Sequence, residues 1–284
     1  MSNITFGVIG NGFVGGATML LECLSNKLLV YDIIPEKCVP QGLTLEDLKI
    51  CDFIFVCVPT PMKSDGTCNL SIVKNVVESL NDVGIKNGII IRSTVLPGTS
   101  DTFGCYFMPE FLTEQNYIND FINCSNWIIG CGANAIDVSF YNKYKQFINN
   151  AYDYKKIKYN NVTPMLNREA ELAKYVRNSY LALKVSFFNE IHKLCSKTDI
   201  SYSNLLKGVT CDNRIGTSHT SIPGPDGKYG YGGTCFPKDT NALKNFYESV
   251  VDTEPLILSA MIERNETIDR PEIDWKNDKR AFSD

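Results

Sequence analysis

Short apolar runs recur along the first half of the chain, separated by polar or helix-forming stretches. They occupy residues 4–9, 28–31, 53–58, 89–91, 105–108 and 127–129. Apolar runs bounded by turn residues are typical of strands buried on both faces, and strands that alternate with helices favour a mainly parallel sheet. The pattern therefore predicts an α/β domain with a doubly wound parallel sheet, whose ligands bind at the carboxyl ends of the strands.

The second half of the chain has a helical period instead. Few helix breakers occur between Pro164 and Lys197, and apolar residues recur there at helical spacing. The stretch is longer than most helices, which run about 8 to 20 residues. It therefore predicts a long connecting helix, a mainly helical second domain and a dimer interface. A further helix is predicted from Pro255 to Ile268. The predicted domains are 1–160 and 161–268, followed by a polar tail at 269–284.

A glycine-rich turn directly follows the first apolar run. It reads G-N-G-F-V-G from Gly10 to Gly15, and the second run ends in Asp32, about twenty residues on. Such glycines allow a tight turn and bring a pyrophosphate close to a helix N-terminus, while the acidic side chain would take the ribose hydroxyls. The pattern predicts a Rossmann-like domain that prefers NAD to NADP. Its expected cofactor contacts are Gly10, Gly12, Phe13, Val14, Gly15 and Asp32.

Polar residues also follow the later predicted strands. The third run leads into Val58, Pro59 and Thr60, the fourth into Thr94 and the fifth into Glu110. Because the carboxyl ends of parallel strands meet at one edge of a sheet, these positions are expected near the cofactor. Ordinary turn chemistry at strand ends is an equally open interpretation from position alone.

Cys235 is the strongest nucleophile candidate. It lies in the sequence G-Y-G-G-T-C-F-P-K-D, which runs from Gly230 to Asp239 and leads into a predicted helix start. Backbone N–H groups at a helix N-terminus, helped by Lys238, favour a thiolate over a thiol, and the preceding glycines let a ligand approach the backbone. The other ten cysteines are interpreted as small buried apolar residues.

Two further groups of polar residues stand out in the second half. Lys174 and Asn178 are four residues apart on the long predicted helix, so that they share a face and are able to hold a substrate hydroxyl or a water together. Arg214 and His219 lie in a loop at 209–234, and long loops of this kind usually carry function or are disordered. Arg214 is expected to contact an anion or a sugar, whereas His219 stays open between a structural and a catalytic role.

Composition narrows the class of protein. The chain of 284 residues is 44% hydrophobic and 21% charged, with a net charge of −4 and no basic cluster of the kind that binds nucleic acid. No apolar run approaches the roughly twenty residues that span a bilayer. Eleven cysteines without a C-x-x-C pair indicate reduced thiols in the cytoplasm, and only two histidines leave no expected metal site.

Taken together, these motifs resemble those of the UDP-glucose 6-dehydrogenases and related nucleotide-sugar dehydrogenases. The resemblance spans most of the chain, and the motifs occur in the order found in that family. They are G-x-G-x-V-G at 10–15, Asp32 with Lys37, C-V-P-T-P at 57–61, S-T-V at 93–95, P-E-F-L-x-E at 109–114, K-x-x-x-N at 174–178, R-I-G at 214–216 and G-G-x-C-F-P-K-D at 232–239.

The resemblance implies a role for each matching residue. The implied catalytic residues are the nucleophile Cys235, Lys174 and Asn178 at the reacting oxygen, Asp239 in the water chemistry, Glu110 as acid or base and Thr94 as its water-holding partner. The implied NAD contacts are the glycine turn, Asp32, Lys37, Val58, Pro59, Thr60, Thr94, Glu114 and Lys238. The implied substrate contacts are Glu110, Phe111, Leu112, Glu114, Lys174, Asn178, Gly232, Cys235 and Arg214, the last reaching across a homodimer interface.

The implied activity is a four-electron oxidation of a nucleotide sugar, with UDP-glucose as the expected substrate. Members of this family carry a third α/β domain that grips the nucleotide, and the polar segment 270–284 cannot supply its core. The chain is therefore expected to bind UDP-glucose through other loops or a partner, to oxidise a different alcohol, or to be a remnant. Two alternative functions are a β-hydroxyacid-type dehydrogenase that performs a single oxidation and a non-catalytic NAD-binding partner subunit.

Overall fold

A seven-stranded sheet organises the first half of the computed structural model, which describes residues 3–283. Its order is β2-β1-β3-β4-β5-β6-β7, and all neighbours are parallel except β5 and β6. The predicted doubly wound, mainly parallel sheet is confirmed. The strands are β1 (Ile4–Ile9), β2 (Asn26–Tyr31), β3 (Phe53–Val56), β4 (Ile89–Ile91), β5 (Tyr106–Phe107), β6 (Trp127–Gly130) and β7 (Val162–Met165).

Both faces of this sheet are buried, which explains why its strands read as unbroken apolar runs. In β3, Phe53 and Phe55 belong to one apolar cluster, whereas Ile54 and Val56 belong to another. Side chains alternate between the two faces of a strand, so each cluster fills one side of the sheet. Helices α1 (Phe13–Met19) and α5 (Val138–Asp153) supply the first cluster, and α2 (Ser71–Asp82) supplies the second.

The remaining helices complete the chain. They are α3 (Thr99–Thr102), α4 (Tyr117–Ile122), α6 (Asn167–Lys197), α7 (Tyr202–Thr210), α8 (Phe236–Val251) and α9 (Leu256–Arg264). Helix α6 is 31 residues long, as the helical period predicts. A short π-helical segment, Asn265–Asp269, continues directly from α9.

The structure divides into two compact units. The first unit comprises the residues up to Thr60 and Leu70–Lys174, and the second comprises Pro61–Asn69 and the chain from Tyr175 onward. The segment predicted as a polar tail is part of the second unit, where the side chain of Ala281 is buried and its carbonyl accepts a hydrogen bond from the N–H of Met62 at 2.8 Å. The domain boundaries at 160 and 268 stay predictions.

The boundary before α6 differs from the sequence prediction. The helix begins at Asn167, and Pro164 lies instead in β7, opposite Ile129 of β6. Strand β7 is the last strand of the sheet, and proline is tolerated at such an edge because it need not donate a ladder hydrogen bond. The apolar pattern does not predict this strand, because its residues V-T-P-M do not form an apolar run.

Each compact unit contains one of the two tryptophans in the chain. Trp127 is buried in the first unit, where its indole N–H donates a hydrogen bond to the carbonyl of Tyr159 at 2.7 Å. Trp275 is buried in the second unit, within a short 3-10 turn at Asp274–Asn277. The two indole rings are therefore buried in different units.

Candidate active site

The glycine turn after β1 is shaped by three different requirements. Gly10 has a φ of +93°, and a side chain there would also meet the carbonyl of Cys57. A Cβ at Gly15 would lie 2.0 Å from the carbonyl oxygen of Gly10, so this glycine allows α1 to pack closely on the sheet. A Cβ at Gly12 would meet no atom within 4 Å, so this glycine faces open space. This division matches the roles that glycines have in dinucleotide-binding turns, in which the middle one leaves room for the pyrophosphate.

Asp32 is held firmly beside this turn. One carboxylate oxygen accepts a hydrogen bond from the N–H of Asn11 at 2.7 Å, and the other accepts from the N–H of Ile34 at 2.9 Å. Lys37 is exposed, and its carbonyl accepts a hydrogen bond from the side chain of Asn11. The turn and the end of β2 are thus linked by side chain to backbone bonds.

The polar ends of β3 and β4 meet beside the glycine turn. Thr94 and Thr60 are buried, whereas Pro59 is exposed. The Ser93 hydroxyl donates a hydrogen bond to the carbonyl of Val58 at 2.6 Å, which ties the two strand ends together. Strand order reverses between β1 and β3, the kind of crevice in which open α/β sheets bind their ligands.

Lys174 and Glu110 form a buried ion pair in the first unit. Their side chains are only 3% and 4% exposed, and the Lys174 ammonium donates to one Glu110 oxygen. The other oxygen of Glu110 accepts a hydrogen bond from the N–H of Leu112 at 2.9 Å, and the ammonium also lies 6.0 Å from the ring centre of Phe111. Residues that the sequence places 64 positions apart are thereby brought into contact, while Glu114 lies exposed on the same segment.

Cys235 occupies the N-cap position of α8 in the second unit. The helix starts at Phe236, with Pro237 in its first turn, as the sequence predicts. The thiol is partly buried, and its sulfur lies 3.7 Å from the hydroxyl of Thr234. The unpaired N–H groups of the first helical turn surround this end of the helix and favour negative charge there.

Three side chains form a hydrogen-bonded row behind Cys235. Asp239 is buried, with one oxygen 2.5 Å from the Lys238 ammonium and the other 2.6 Å from the side-chain nitrogen of Asn178, which donates to it. Burial favours the neutral amine of Lys238, but the charges of Asp239, Cys235 and Cys68 outweigh it and raise the pKa of Lys238 above its ordinary value. Lys238 is therefore a fixed positive charge beside the thiol of Cys235.

The loop residues Arg214 and His219 have different surroundings. The Arg214 side chain is 90% exposed and pairs with Asp212, two residues before it in the chain. The Nδ1 atom of His219 is buried without a hydrogen-bond partner, and its ring lies 5.6 Å from that of Phe236. Burial, together with the nearby cations Lys184 and Arg177, lowers the pKa of His219, so the neutral ring is favoured.

Two residues of the second unit escaped the sequence analysis. Asn265 and Arg270 contact the glycine-rich loop ahead of Cys235, through the Tyr231 backbone and Gly232 respectively. Asparagine has a low helix propensity, but nothing in the polar sequence E-R-N-E-T around Asn265 indicates a contact with this loop. Nothing in the local pattern around Arg270 indicates a contact with a glycine 38 residues earlier.

Four thiols of the first unit are perturbed by their burial. Burial raises the pKa of Cys57 to about 11 and those of Cys51, Cys105 and Cys131 to about 12. These four thiols are therefore protonated and unreactive at neutral pH.

Two other kinds of site have no candidate in the described part of the chain. Among residues 3–283, no group of three or more His, Cys, Asp and Glu side chains is arranged to hold a metal ion. None of the helices in that range has the length and the apolar composition needed to cross a membrane.

Comparison with known proteins gives two family matches. Residues 42–148 match the NAD binding domain of the UDP-glucose/GDP-mannose dehydrogenase family, and residues 168–267 match the central domain of the same family. The UDP-glucose 6-dehydrogenase of Rickettsia bellii is 31% identical, over 95% of this chain and 68% of that protein. That of Rickettsia prowazekii is 30% identical, over 93% of this chain and 66% of that protein. The chain thus spans about two thirds of the length of these relatives.

Solved structures agree with the fold. A UDP-glucose dehydrogenase from Pyrobaculum islandicum superposes with a TM-score of 0.75 at 26% identity, over 93% of this chain and 68% of that one. The 3-hydroxyisobutyrate dehydrogenase of Mycobacterium tuberculosis has a TM-score of 0.67 over 92% of both chains, but its 15% identity indicates a shared fold alone. By its domain matches and its relatives, the chain belongs to the UDP-glucose/GDP-mannose dehydrogenase family of NAD-dependent oxidoreductases.

Proposed function

We propose that this protein oxidises the primary alcohol of a nucleotide sugar to a carboxylate with NAD, and that UDP-glucose is the substrate and UDP-glucuronate the product. The observation that carries the proposal is Cys235 at the N-cap of α8, beside the Lys238 charge and the Asp239 and Asn178 pair. Curated relatives named UDP-glucose 6-dehydrogenase support the choice of substrate.

The oxidation takes place in two stages. The hydroxyl loses its proton and the carbon loses a hydride, and NAD supplies the hydride acceptor in both stages. The thiolate of Cys235 adds to the resulting aldehyde carbon and gives a thiohemiacetal, whose carbon loses the second hydride to give a thioester. Water then adds to the thioester, the carbon–sulfur bond breaks, and the carboxylate and the free thiol are released.

The proposed roles of the other residues follow from their charges and positions. Lys174 and Asn178 donate hydrogen bonds to the reacting oxygen, as preorganised donors do where negative charge develops. Glu110 serves as the acid or base, with Thr94 holding the water, and Asp239 supports the final hydrolysis. The contact with Glu110 holds the Lys174 side chain in a single position, which supports its role as an oriented donor.

The proposed ligand contacts form two groups, one for each ligand. The NAD contacts are Gly10, Gly12, Phe13, Val14, Gly15, Asp32, Lys37, Val58, Pro59, Thr60, Thr94, Glu114 and Lys238, and the sugar contacts are Phe111, Leu112, Glu114, Gly232 and Arg214. The open space at Gly12 and the fixed carboxylate of Asp32 support the first group. Within residues 3–283, none of the eleven cysteines is in a disulfide bond, which supports a proposed cytoplasmic location.

The stoichiometry of NADH tests this function directly. With limiting UDP-glucose and excess NAD, we expect two NADH per sugar consumed, because each of the two oxidations transfers one hydride. NADH absorbance measures the first quantity, and chromatography of the sugar nucleotides measures the second.

Other outcomes of this measurement identify the alternatives. One NADH per sugar would contradict the four-electron proposal and favour a single oxidation of the β-hydroxyacid type. No NADH from UDP-glucose would contradict the choice of substrate and favour another alcohol or a required partner chain.

We also propose that the active form is a homodimer in which Arg214 reaches the site of the other subunit. Along α6 in the second unit, Tyr180, Phe187 and Leu194 are each more than half exposed and seven residues apart, so they form one apolar stripe on the helix surface. The exposed side chain of Arg214, paired only locally with Asp212, supports a role beyond its own subunit.

Complementation between two inactive variants tests the shared site. Arg214→Ala and Cys235→Ser should each be inactive alone, but mixing them after mild dissociation should restore activity to about a quarter of the wild-type value, because half of the dimers are mixed and each has one intact site. Mixing Cys235→Ser with Lys174→Ala should restore nothing, since both residues belong to the same subunit's site. A mixture without activity, or an active monomer by light scattering, would contradict the proposal.

A further inference from the structure

The loop that leads into Cys235 is held by a second segment of the chain. The carboxamide of the buried Asn265 pairs with both backbone groups of Tyr231, accepting from its N–H at 2.8 Å and donating to its carbonyl at 2.9 Å. The N–H of Gly230 donates to the side chain of Asn189 at 3.1 Å. Side chains thus satisfy backbone groups of this loop, as a neighbouring strand does within a sheet. These bonds hold the loop in one conformation.

Arg270 supports the next residue of the same loop. Its side chain is 5% exposed, with two bonds to Asp274 at 2.6 and 2.8 Å and one to Asp226 at 2.7 Å. A Cβ at Gly232 would lie 2.4 Å from the central carbon of the guanidinium and 2.6 and 2.7 Å from its terminal nitrogens. The guanidinium therefore lies directly against the Gly232 backbone, and any larger residue at position 232 would displace it.

The π-helical segment after α9 explains how both side chains reach the loop. The N–H of Arg270 donates to the carbonyl of Asn265 at 2.7 Å, a bond that spans five residues rather than four. In a regular α-helix, two residues five apart point about 140° away from each other. The wider turn reduces this angle, so that Asn265 and Arg270 face the same loop, and such π-helical turns are frequent at functional sites.

We propose that Asn265 and Arg270 are positioning residues for Cys235, an inference that rests on the proposed role of that thiol as nucleophile. Only Gly233 and Thr234 separate Gly232 from the cysteine, and Gly233 has a φ of +72° with no atom within 4 Å of where its side chain would be. Packing around Gly233 therefore does not fix its backbone, and the direction in which the chain enters Cys235 depends on the residues before Gly233. Because a nucleophile misplaced by about 1 Å loses about 100-fold in rate, fixing this loop sets the reactivity of the thiol.

Arg270→Gln tests the inference through the thiol itself. The variant removes the positive charge of the guanidinium, which pairs with Asp226 and Asp274, and leaves both carboxylates without it. Because the remaining negative charge disfavours a thiolate, we expect the pH profile of Cys235 alkylation by iodoacetamide to move to higher pH. The kcat for NADH formation should fall about tenfold or more, with the KM for NAD unchanged. Arg270→Lys should recover part of both effects. Mass spectrometry of the Cys235 peptide measures the alkylation rate.

Arg280→Gln is the matched control, because Arg280 belongs to the same segment and pairs with Asp278 in the same way, but is half-exposed. It should leave the alkylation profile and the kcat unchanged. Should Arg270→Gln fail to fold, Asp226→Asn is the milder variant, since it keeps both bonds to Asp274. By loosening the guanidinium against Gly232 it should lower the kcat and change the alkylation profile of Cys235.

Two results would overturn the inference. One is a folded Arg270→Gln or Asp226→Asn variant with the wild-type alkylation profile and kcat. The other is a loss of thermal stability that is not accompanied by any change in Cys235 alkylation below the unfolding temperature. Because alkylation needs no substrate, a failure of UDP-glucose oxidation in the wild type is distinguishable from a failure of this inference.

Discussion

Cys235→Ser is expected to form carboxylate at a rate lower than that of the wild type by about 10³-fold or more. A serine hydroxyl is a far weaker nucleophile than a thiolate, and the charge of Lys238 and the N-terminus of α8 cannot ionise it at neutral pH. Oxidation should then stop at the aldehyde level. Mass spectrometry of the sugar nucleotide and the NADH yield per sugar both report this result.

Cys211→Ser is the control, because Cys211 is exposed but lies outside the proposed machinery. It should retain the wild-type yield of carboxylate. A Cys235→Ser variant that makes carboxylate at the wild-type rate would show that no thioester forms on this residue. It would move the proposal to a mechanism in which the hydrated aldehyde is oxidised directly.

Lys174→Met is expected to lower the free energy of unfolding by about 3–5 kcal/mol. The variant keeps most of the side-chain volume but leaves the Glu110 carboxylate buried without its charged partner. The double variant Lys174→Met/Glu110→Gln should regain much of this loss, because it removes both charges together. Urea denaturation of the three proteins measures the difference, and the double-mutant cycle isolates the pair energy.

A surface pair of the same type supplies the control. Lys74 and Glu78 are also a lysine and a glutamate in contact, but both side chains are more than half exposed. Lys74→Met should change the free energy of unfolding by less than about 1 kcal/mol. If Lys174→Met were no more destabilising than Lys74→Met, the pair with Glu110 would be solvated rather than buried.

The sheet was predictable because its physical signature is local. Strands buried on both faces must be apolar at every position, so runs such as Phe53–Val56 and Ile89–Ile91 are visible without knowledge of their partners. Strand β7 was not visible, since an edge strand needs neither continuous apolar residues nor every backbone donor. Pro164 lies in this strand, so the predicted start of α6 at Pro164 is three residues before the observed start at Asn167.

The candidate site was predictable only in part, for a related reason. Glycine turns and the Cys235 motif are contiguous in sequence, and the four-residue spacing of Lys174 and Asn178 follows from helix geometry alone. Contacts between residues that are far apart in the sequence have no comparable local pattern. The ion pair of Lys174 with Glu110 joins residues 64 apart, and the support of Gly232 by Arg270 becomes evident only when the distances are known.

The placement of the two tryptophans makes the two compact units optically separable. Trp127 and Trp275 are the chain's only indoles, and each is buried in a different unit. When one of them is replaced by phenylalanine, the fluorescence emission of the remaining tryptophan reports on the unfolding of its own unit alone. Comparing the two single-tryptophan proteins during denaturation would show whether the halves of the molecule melt as one cooperative body or in sequence.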